Sequence, residues 1–205
     1  MFTPDGRSLL FYSHRDGNWA GWMVGVDGGG LRKVAAPAGG VIYPLISPKG
    51  NEMVYTSVNP QAFLVPLGAS SAAAPVQLTG ATIDGAAFTP TGWSPDGTRL
   101  TGGLTKGGAP SGVGVYDLSS RMLTMVGADP TSAAKWLADS RRIIYFVGDG
   151  SELIVLDTVS RKRTVVDVRL PAPSTDGMFA ISPDNRTIYY GAARFEADIW
   201  IVERK

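Results

Sequence analysis

The chain contains a single histidine, His14, and no cysteine, which limits the chemistry that its side chains could perform. A serine nucleophile needs a base within hydrogen-bonding reach, and Ser13 is the immediate neighbour of His14. Adjacent residues of a strand point to opposite faces, so this pair is poorly arranged for proton transfer. A zinc or transition-metal centre lacks its usual ligands. We therefore expect no catalytic residue, no metal and no cofactor, and interpret His14 as an exposed loop residue.

Four carboxylates belong to a repeat of roughly 45 residues, a spacing in the range of propeller blades, in which Lys49 takes the place of the carboxylate in the second copy. They are Asp5, Asp96, Asp139 and Asp184. Each belongs to its own turn motif, so the four lie about a blade apart and cannot converge on one calcium ion. We expect each carboxylate to close its turn by accepting backbone hydrogen bonds.

The turns themselves are a repeated tetrapeptide. Its copies are Thr3-Pro4-Asp5-Gly6, Ser47-Pro48-Lys49-Gly50, Ser94-Pro95-Asp96-Gly97, the degenerate Leu137-Ala138-Asp139-Ser140, and Ser182-Pro183-Asp184-Asn185. Proline presets φ for a turn, and glycine accepts a positive φ, so each copy predicts a tight reversal between two strands. A large apolar residue precedes every copy, which predicts packing between neighbouring units: Phe2, Ile46, Trp93, Trp136 and Ile181.

Short β-prone runs surround each tetrapeptide, and no segment shows a sustained helical period. Each unit therefore contains up to four strands, the content of one propeller blade. We predict an all-β protein, a β-propeller of about five four-stranded blades, of which four are complete and the fifth lacks its outer strand, so that the ring is incomplete. The prediction is one domain, 1–205, with blades at about residues 1–35, 43–80, 92–127, 134–168 and 178–205.

The first unit carries a family resemblance. Its Thr3-Pro-Asp-Gly turn, the apolar strand to Ser13, the Arg15-Asp-Gly segment and the strand ending in Asp27-Gly-Gly together resemble the TolB-type repeat, a WD-like unit widespread in bacteria. The ending Ala197-Asp-Ile-Trp-Ile-Val-Glu203 is also similar to the last repeat of such propellers. The resemblance implies a non-catalytic scaffold that binds a protein or peptide, since the founding member binds a peptidoglycan-associated lipoprotein in the periplasm.

Two other roles remain open. The chain could be the C-terminal sensor propeller of a larger bacterial regulator, such as a membrane-anchored kinase, or the gating propeller of a prolyl-oligopeptidase-like enzyme without its catalytic domain. Because the fifth unit stops before a fourth strand, we expect a C-terminal fragment of a longer propeller. The strand Asp198 to Val202 would then be an edge able to pair with a partner strand.

Loops on one face of the propeller are the expected binding surface, because a rigid scaffold fixes their positions while their sequences vary. The polar and aromatic residues on them best suited to grip a partner are His14, Arg15, Asp16, Trp19, Lys106, Arg194, Phe195 and Glu196. For Arg15 and Arg194, bracing of their own blade is an equal alternative.

Composition excludes some partners. The formal net charge is +1 and the basic residues are scattered, whereas phosphate-tracking proteins concentrate them, so we expect no nucleic acid. No apolar run is long enough to span a membrane, and the chain shows no targeting signal. By resemblance the location is periplasmic or otherwise extracytoplasmic.

Overall fold

A computed structural model describes residues 1–68, 74–148, 150, 152–168 and 174–192, and all of their regular structure is β-strand. The strands are β1 Ser8–Ser13, β2 Ala20–Gly25, β3 Arg32–Ala35, β4 Ile42–Ile46, β5 Glu52–Thr56, β6 Ala62–Pro66, β7 Val76–Gln77, β8 Thr82–Ile83, β9 Ala86–Trp93, β10 Arg99–Lys106, β11 Ala109–Asp117, β12 Met122–Gly127, β13 Ala134–Trp136, β14 Arg142–Val147, β15 Glu152–Asp157, β16 Arg163–Val165, β17 Ser174–Ile181 and β18 Ile188–Ala192.

Five antiparallel sheets follow one another along the chain, and within each sheet every strand pairs with its neighbour in sequence. The sheets are β1-β2-β3, β4 to β7, β8 to β12, β13 to β16, and β17-β18. An isolated bridge between Phe2 and Leu9 adds the start of an inner strand to the first sheet. The predicted all-β propeller with five successive blades is therefore confirmed. The predicted edge strand Asp198 to Val202 lies outside the described residues.

Each tetrapeptide turn is closed in the way its residues predict. In the third blade the Asp96 carboxylate accepts hydrogen bonds from the Ser94 hydroxyl at 2.6 Å and the Thr98 amide at 3.0 Å. The Ser94 hydroxyl accepts a further bond from the Arg99 amide at 2.9 Å, and Gly97 has a φ of 80°. Equivalent bonds close the turns at Asp5, Asp139 and Asp184. Burial acts to raise the pKa of Asp96 and Asp139, but the hydrogen bonds outweigh it, and the pKa of each of the four carboxylates is lowered from its usual value.

Among the described residues the core consists of four apolar clusters, each formed between two consecutive sheets. Strand alternation explains this arrangement, because a strand inside the propeller is buried on both faces. In β14, Ile143 and Tyr145 pack against the third sheet, whereas Ile144 and Phe146 pack toward Phe179 of the fifth. Leu10 of the first sheet packs against the second, and Phe88 of the third packs against Val54 of the second.

The apolar residues that precede the turns lie where the repeat predicts, with one exception. Ile46, Trp93, Trp136 and Ile181 all belong to these clusters or pack against them. Phe2 is 61% exposed. The first sheet has no described sheet on that side of it, so Phe2 has no neighbouring blade to cover its ring.

The third blade begins earlier than predicted. Strand β8 and most of β9 lie before residue 92, where the sequence predicts the blade to begin. Proline and glycine are common in turns, so Pro90 and Gly92 obscure this strand in the sequence. Pro90 is tolerated since β9 pairs with β10 there but has no partner on its other side. Gly92 lies where an added Cβ would sit 2.9 Å from the Ala134 carbonyl oxygen, so only glycine permits this approach of the next blade. In the described part of the chain, no helix is long and apolar enough to cross a membrane.

Candidate functional site

Loops from the first two blades meet on one face of the propeller, which we call the loop face. The hairpin loop 14–19 joins β1 to β2, and its Trp19 carbonyl accepts a bond from the Val41 amide at 3.0 Å. The Gly39 carbonyl of the loop between the blades accepts a bond from the Val58 amide at 2.9 Å. In the fourth blade, the Gly148 amide similarly donates to Pro130 at 2.8 Å. Hairpin loops and inter-blade loops are thus hydrogen-bonded to one another on this face.

Four aromatic side chains lie together on this face, and we call them the aromatic patch. The Trp19 ring centroid is 5.5 Å from that of Tyr12 and 5.3 Å from that of His14, and Tyr43 contacts Tyr12 at 5.7 Å. Trp19 is 40% exposed and Tyr43 is 46% exposed, so the rings brace one another while presenting surface to solvent. Burial, with a smaller contribution from Tyr43, raises the pKa of Tyr12, which keeps its hydroxyl neutral.

Tyr43 reaches the patch through an unusual backbone conformation. Its φ is 50°, a left-handed value that a bulky side chain rarely adopts. The pairing of β4 with β5 shifts register between Ile42 and Leu45, so the chain bulges at this residue. Conformations of this kind cost on the order of 1–3 kcal/mol and cluster at binding sites. The bulge aims the tyrosine ring across the blade boundary toward Tyr12.

Arg15 and Asp16 face their own blade. The Arg15 guanidinium lies 5.2 Å from the Phe11 ring centroid and 4.9 Å from that of Trp22, and its Nε donates to the Ser13 hydroxyl at 3.3 Å. Asp16 forms an ion pair with Lys33 at 2.9 Å. Arg15 therefore braces its blade, and the Ser13 hydroxyl is bonded to Arg15.

Of the remaining predicted binding residues, the structure describes Lys106, which lies in another blade. Lys106 is exposed at the end of β10, in the hairpin that passes through Gly107 and Gly108 to β11 in the third blade. Arg194, Phe195 and Glu196 lie outside the described residues. Of the five predicted positions that the structure describes, His14 and Trp19 lie together in the aromatic patch.

Two members of the patch were absent from the sequence prediction. Tyr12 could have been found, because it lies two residues before His14 and side chains two apart in a strand share a face. Tyr43 could not have been found, because its position depends on a bulge and a positive φ that the local sequence does not indicate.

A buried ammonium lies where the inner strands of the third and fourth blades meet. Lys135 of β13 donates to the backbone carbonyl of Thr91 in β9, and burial lowers the pKa of Lys135 to about 8. The Thr91 hydroxyl accepts from the Ala134 amide at 2.9 Å, which ties the two inner strands together. Within the described ranges, no three His, Asp or Glu side chains are grouped so that they could hold a metal ion.

No family model matches the chain. A sequence relative, an uncharacterised protein of Agrobacterium fabrum, is 36% identical over 62 residues, which is 30% of this chain and 21% of the relative. Among solved structures, TolB from Acinetobacter baumannii superimposes with a TM-score of 0.70 at 16% identity, covering 90% of this chain and 47% of that protein. The match to each of these proteins therefore covers less than half of that protein's length.

Two further structures share the architecture. A putative TolB from Agrobacterium tumefaciens has a TM-score of 0.65 at 16% identity, with 92% of this chain and 78% of that protein covered. An oligogalacturonate lyase from Vibrio parahaemolyticus has a TM-score of 0.52 at 15% identity, with 92% and 50% covered. At these identities the likeness establishes the fold alone: the chain has a TolB-like β-propeller fold.

Proposed function

We propose that this chain is a non-catalytic propeller scaffold that binds a protein or peptide partner through the loop face, with the aromatic patch as the anchor. The observation that carries the proposal is the exposure of Trp19 and Tyr43 within a braced group of rings. Binding hot spots are enriched in tryptophan and tyrosine, because rigid rings bury much surface at little entropic cost. The likeness to TolB proteins supports a role of this class, in an extracytoplasmic location and within a longer propeller.

A binding role also agrees with the chemistry of the patch. The His14 ring contacts Trp19, while the neighbouring Ser13 hydroxyl accepts hydrogen bonds from the amide and the Nε of Arg15. No nucleophile and base are therefore paired at this site. The patch offers apolar ring faces and tyrosine hydroxyls, which suit an extended peptide with apolar anchors.

The test is selection of peptides from a displayed random 12-residue library on the immobilised chain, followed by affinity measurement for the enriched peptides. Trp19→Ala should weaken them about thirtyfold, the effect of losing a hot-spot residue. Tyr189→Ala is the matched control, since Tyr189 is 66% exposed on β18, away from the patch, and should leave affinity unchanged.

Two results would contradict the proposal. One is enrichment of peptides that bind the Trp19→Ala variant as tightly as the parent. The other is a combined result: no peptide is enriched, oligogalacturonate binds the parent chain, and the Trp19→Ala variant no longer binds oligogalacturonate. That outcome would assign the patch to an acidic saccharide, in line with the lyase that shares the fold.

A further inference from the structure

An open cleft of about 1020 Å³ lies between the first and second blades at the tetrapeptide turns. We call it the turn cleft. One wall is the start of β3, the other is the end of β6, and the two turns Thr3 to Gly6 and Ser47 to Gly50 border it. It lies at the opposite ends of the strands from the aromatic patch, because the turns and the hairpin loop 14–19 are at opposite ends of β1.

Lys49, which lines the cleft, stands where the other four turns carry aspartate. The lysine cannot accept the hydrogen bonds that close those turns. Asn51 supplies the missing acceptor: the Ser47 hydroxyl donates to its Oδ1 at 3.1 Å, and the Glu52 amide still donates to Ser47 at 3.1 Å. The turn is therefore closed without a carboxylate, which leaves this position free to carry a positive charge.

Arg32 is a second cation in the cleft that lacks a carboxylate partner. Its guanidinium donates to the Met23 sulfur at 3.3 Å, and a thioether is a weak acceptor. None of the ion pairs among the described residues includes Arg32 or Lys49. The two side chains thus retain charged donors with which to bind an acidic group.

The other charged residues that line the cleft are already engaged. Lys33 pairs with Asp16 at 2.9 Å and lies over the Trp22 ring. Asp5 Oδ1 accepts the Thr3 hydroxyl at 2.6 Å and the Arg7 amide at 3.0 Å. The Asp5 carboxylate keeps its negative charge, so the charged lining residues without an ion pair, Arg32, Lys49 and Asp5, together carry a net charge of +1. Met23, Val34, Ile46 and Leu67 add apolar surface to the lining.

We propose that the turn cleft binds an acidic segment of a partner protein, with Arg32 and Lys49 taking its carboxylates and the apolar lining taking its aliphatic side chains. Charge complementarity selects an acidic ligand, and the cleft volume is large enough for several residues of an extended peptide. A nucleic acid is less suitable, because its backbone requires a stripe of cations rather than two beside an apolar surface.

The experiment uses the whole chain and two fluorescent probes, an octapeptide of alternating glutamate and leucine and its glutamine counterpart. Fluorescence anisotropy at roughly 50 mM salt should show binding of the glutamate peptide and at least tenfold weaker binding of the glutamine peptide. Lys49→Asp restores the residue found in the other four turns, so the fold should survive while affinity falls about tenfold. Arg32→Gln should weaken binding about fivefold.

Lys162→Asp is the matched control, because it makes the same change in net charge at an exposed position in the fourth blade. It should leave affinity unchanged, as should Trp19→Ala, which separates this site from the aromatic patch. The proposal is overturned if the glutamate peptide does not bind the parent chain. Equal binding of the two peptides, or equal loss in Lys49→Asp and Lys162→Asp, would also overturn it.

Two competitors test the identity of the occupant. Inorganic phosphate at millimolar concentration and a thymidine oligonucleotide should not displace the peptide at 150 mM salt. Displacement by either at a comparable affinity would show a general anion or nucleic-acid site and would make the peptide assignment wrong. If Lys49→Asp unfolds, Arg32→Gln and the comparison of the two peptides decide the result.

Discussion

Replacing Gly102 by alanine should destabilise the protein strongly, because the third blade depends on close contact at this residue. Gly102 lies in β10 opposite Pro90, next to the register shift that leaves Thr91 as a bulge in β9. An added Cβ would overlap the carbonyl oxygen of Thr89 and lie 2.8 Å from its carbonyl carbon and 2.9 Å from Pro90 Cα. These neighbours are backbone atoms, so the two strands would have to separate.

The magnitude follows from what the separation breaks. Overpacking at a rigid contact costs about 1–3 kcal/mol. Loss of one or two adjacent ladder hydrogen bonds adds about 1 kcal/mol each. We expect a decrease of about 3–4 kcal/mol in the free energy of unfolding, which corresponds to a fall in Tm of about 10 °C for a chain of this size. The bulge also positions the Thr91 hydroxyl on Ala134, so contact with the fourth blade should weaken.

Urea unfolding followed by tryptophan fluorescence, with calorimetry for Tm, measures the effect. Gly39→Ala is the control, since its Cβ would meet only the Ser57 Cβ, at an ordinary 3.5 Å. That variant should be neutral or slightly more stable, because alanine reduces the entropy of the unfolded chain. If Gly102→Ala unfolds at the same urea concentration as Gly39→Ala, the contact at Gly102 does not restrict the blade and the reasoning is refuted.

Two predictions concern pH. Bonds from the Ser120 amide and the Ser119 hydroxyl lower the pKa of Asp117 to about 2, so its contribution to stability is present above pH 4 and is lost as the pH falls toward 2. The Tm difference between the parent and Asp117→Asn should therefore shrink over that range, and a constant difference would contradict the assignment. Burial lowers the pKa of Lys135 to about 8, so the unfolded chain binds more protons between pH 8 and 10 and stability should rise with pH there. Lys135→Met should flatten that rise in urea titrations; an unchanged slope would show that another group titrates.

The architecture could be predicted from the sequence because its signals are local. Three of the five tetrapeptides, those at Asp5, Asp96 and Asp184, combine a proline, an acceptor and a residue that adopts positive φ, and the structure shows their hydrogen bonds in place. Ile143 and Ile144 are buried on opposite sides of their strand, which is likewise predictable because they are adjacent in the sequence. Repetition then reinforces each weak signal, since five units in phase predict one fold.

The site was less predictable because it depends on contacts between blades. The sequence leaves open whether Arg15 packs on its own blade or contacts a partner. In the structure its guanidinium lies over the ring of Trp22 on the neighbouring strand, and so it packs on its own blade. The patch needs Tyr43 from the second blade to meet Tyr12 from the first, across a boundary that the sequence does not locate. The sequence predicts the start of the third blade too late for a similar reason. Gly92 belongs to a strand, and its lack of a side chain allows the fourth blade to approach closely.

The two turns that lack glycine at their last position make an additional contact between neighbouring blades. Ser140 and Asn185 stand where the regular turns have glycine, and both keep a positive φ, of 52° and 59°. Each uses its side chain on the preceding turn: Ser140 Oγ accepts from the Asp96 amide at 3.0 Å, and Asn185 Oδ1 accepts from the Ala138 amide at 3.2 Å. Glycine at either position would have no side chain to accept this bond, so the departure from the repeat adds a hydrogen bond between the turns of neighbouring blades.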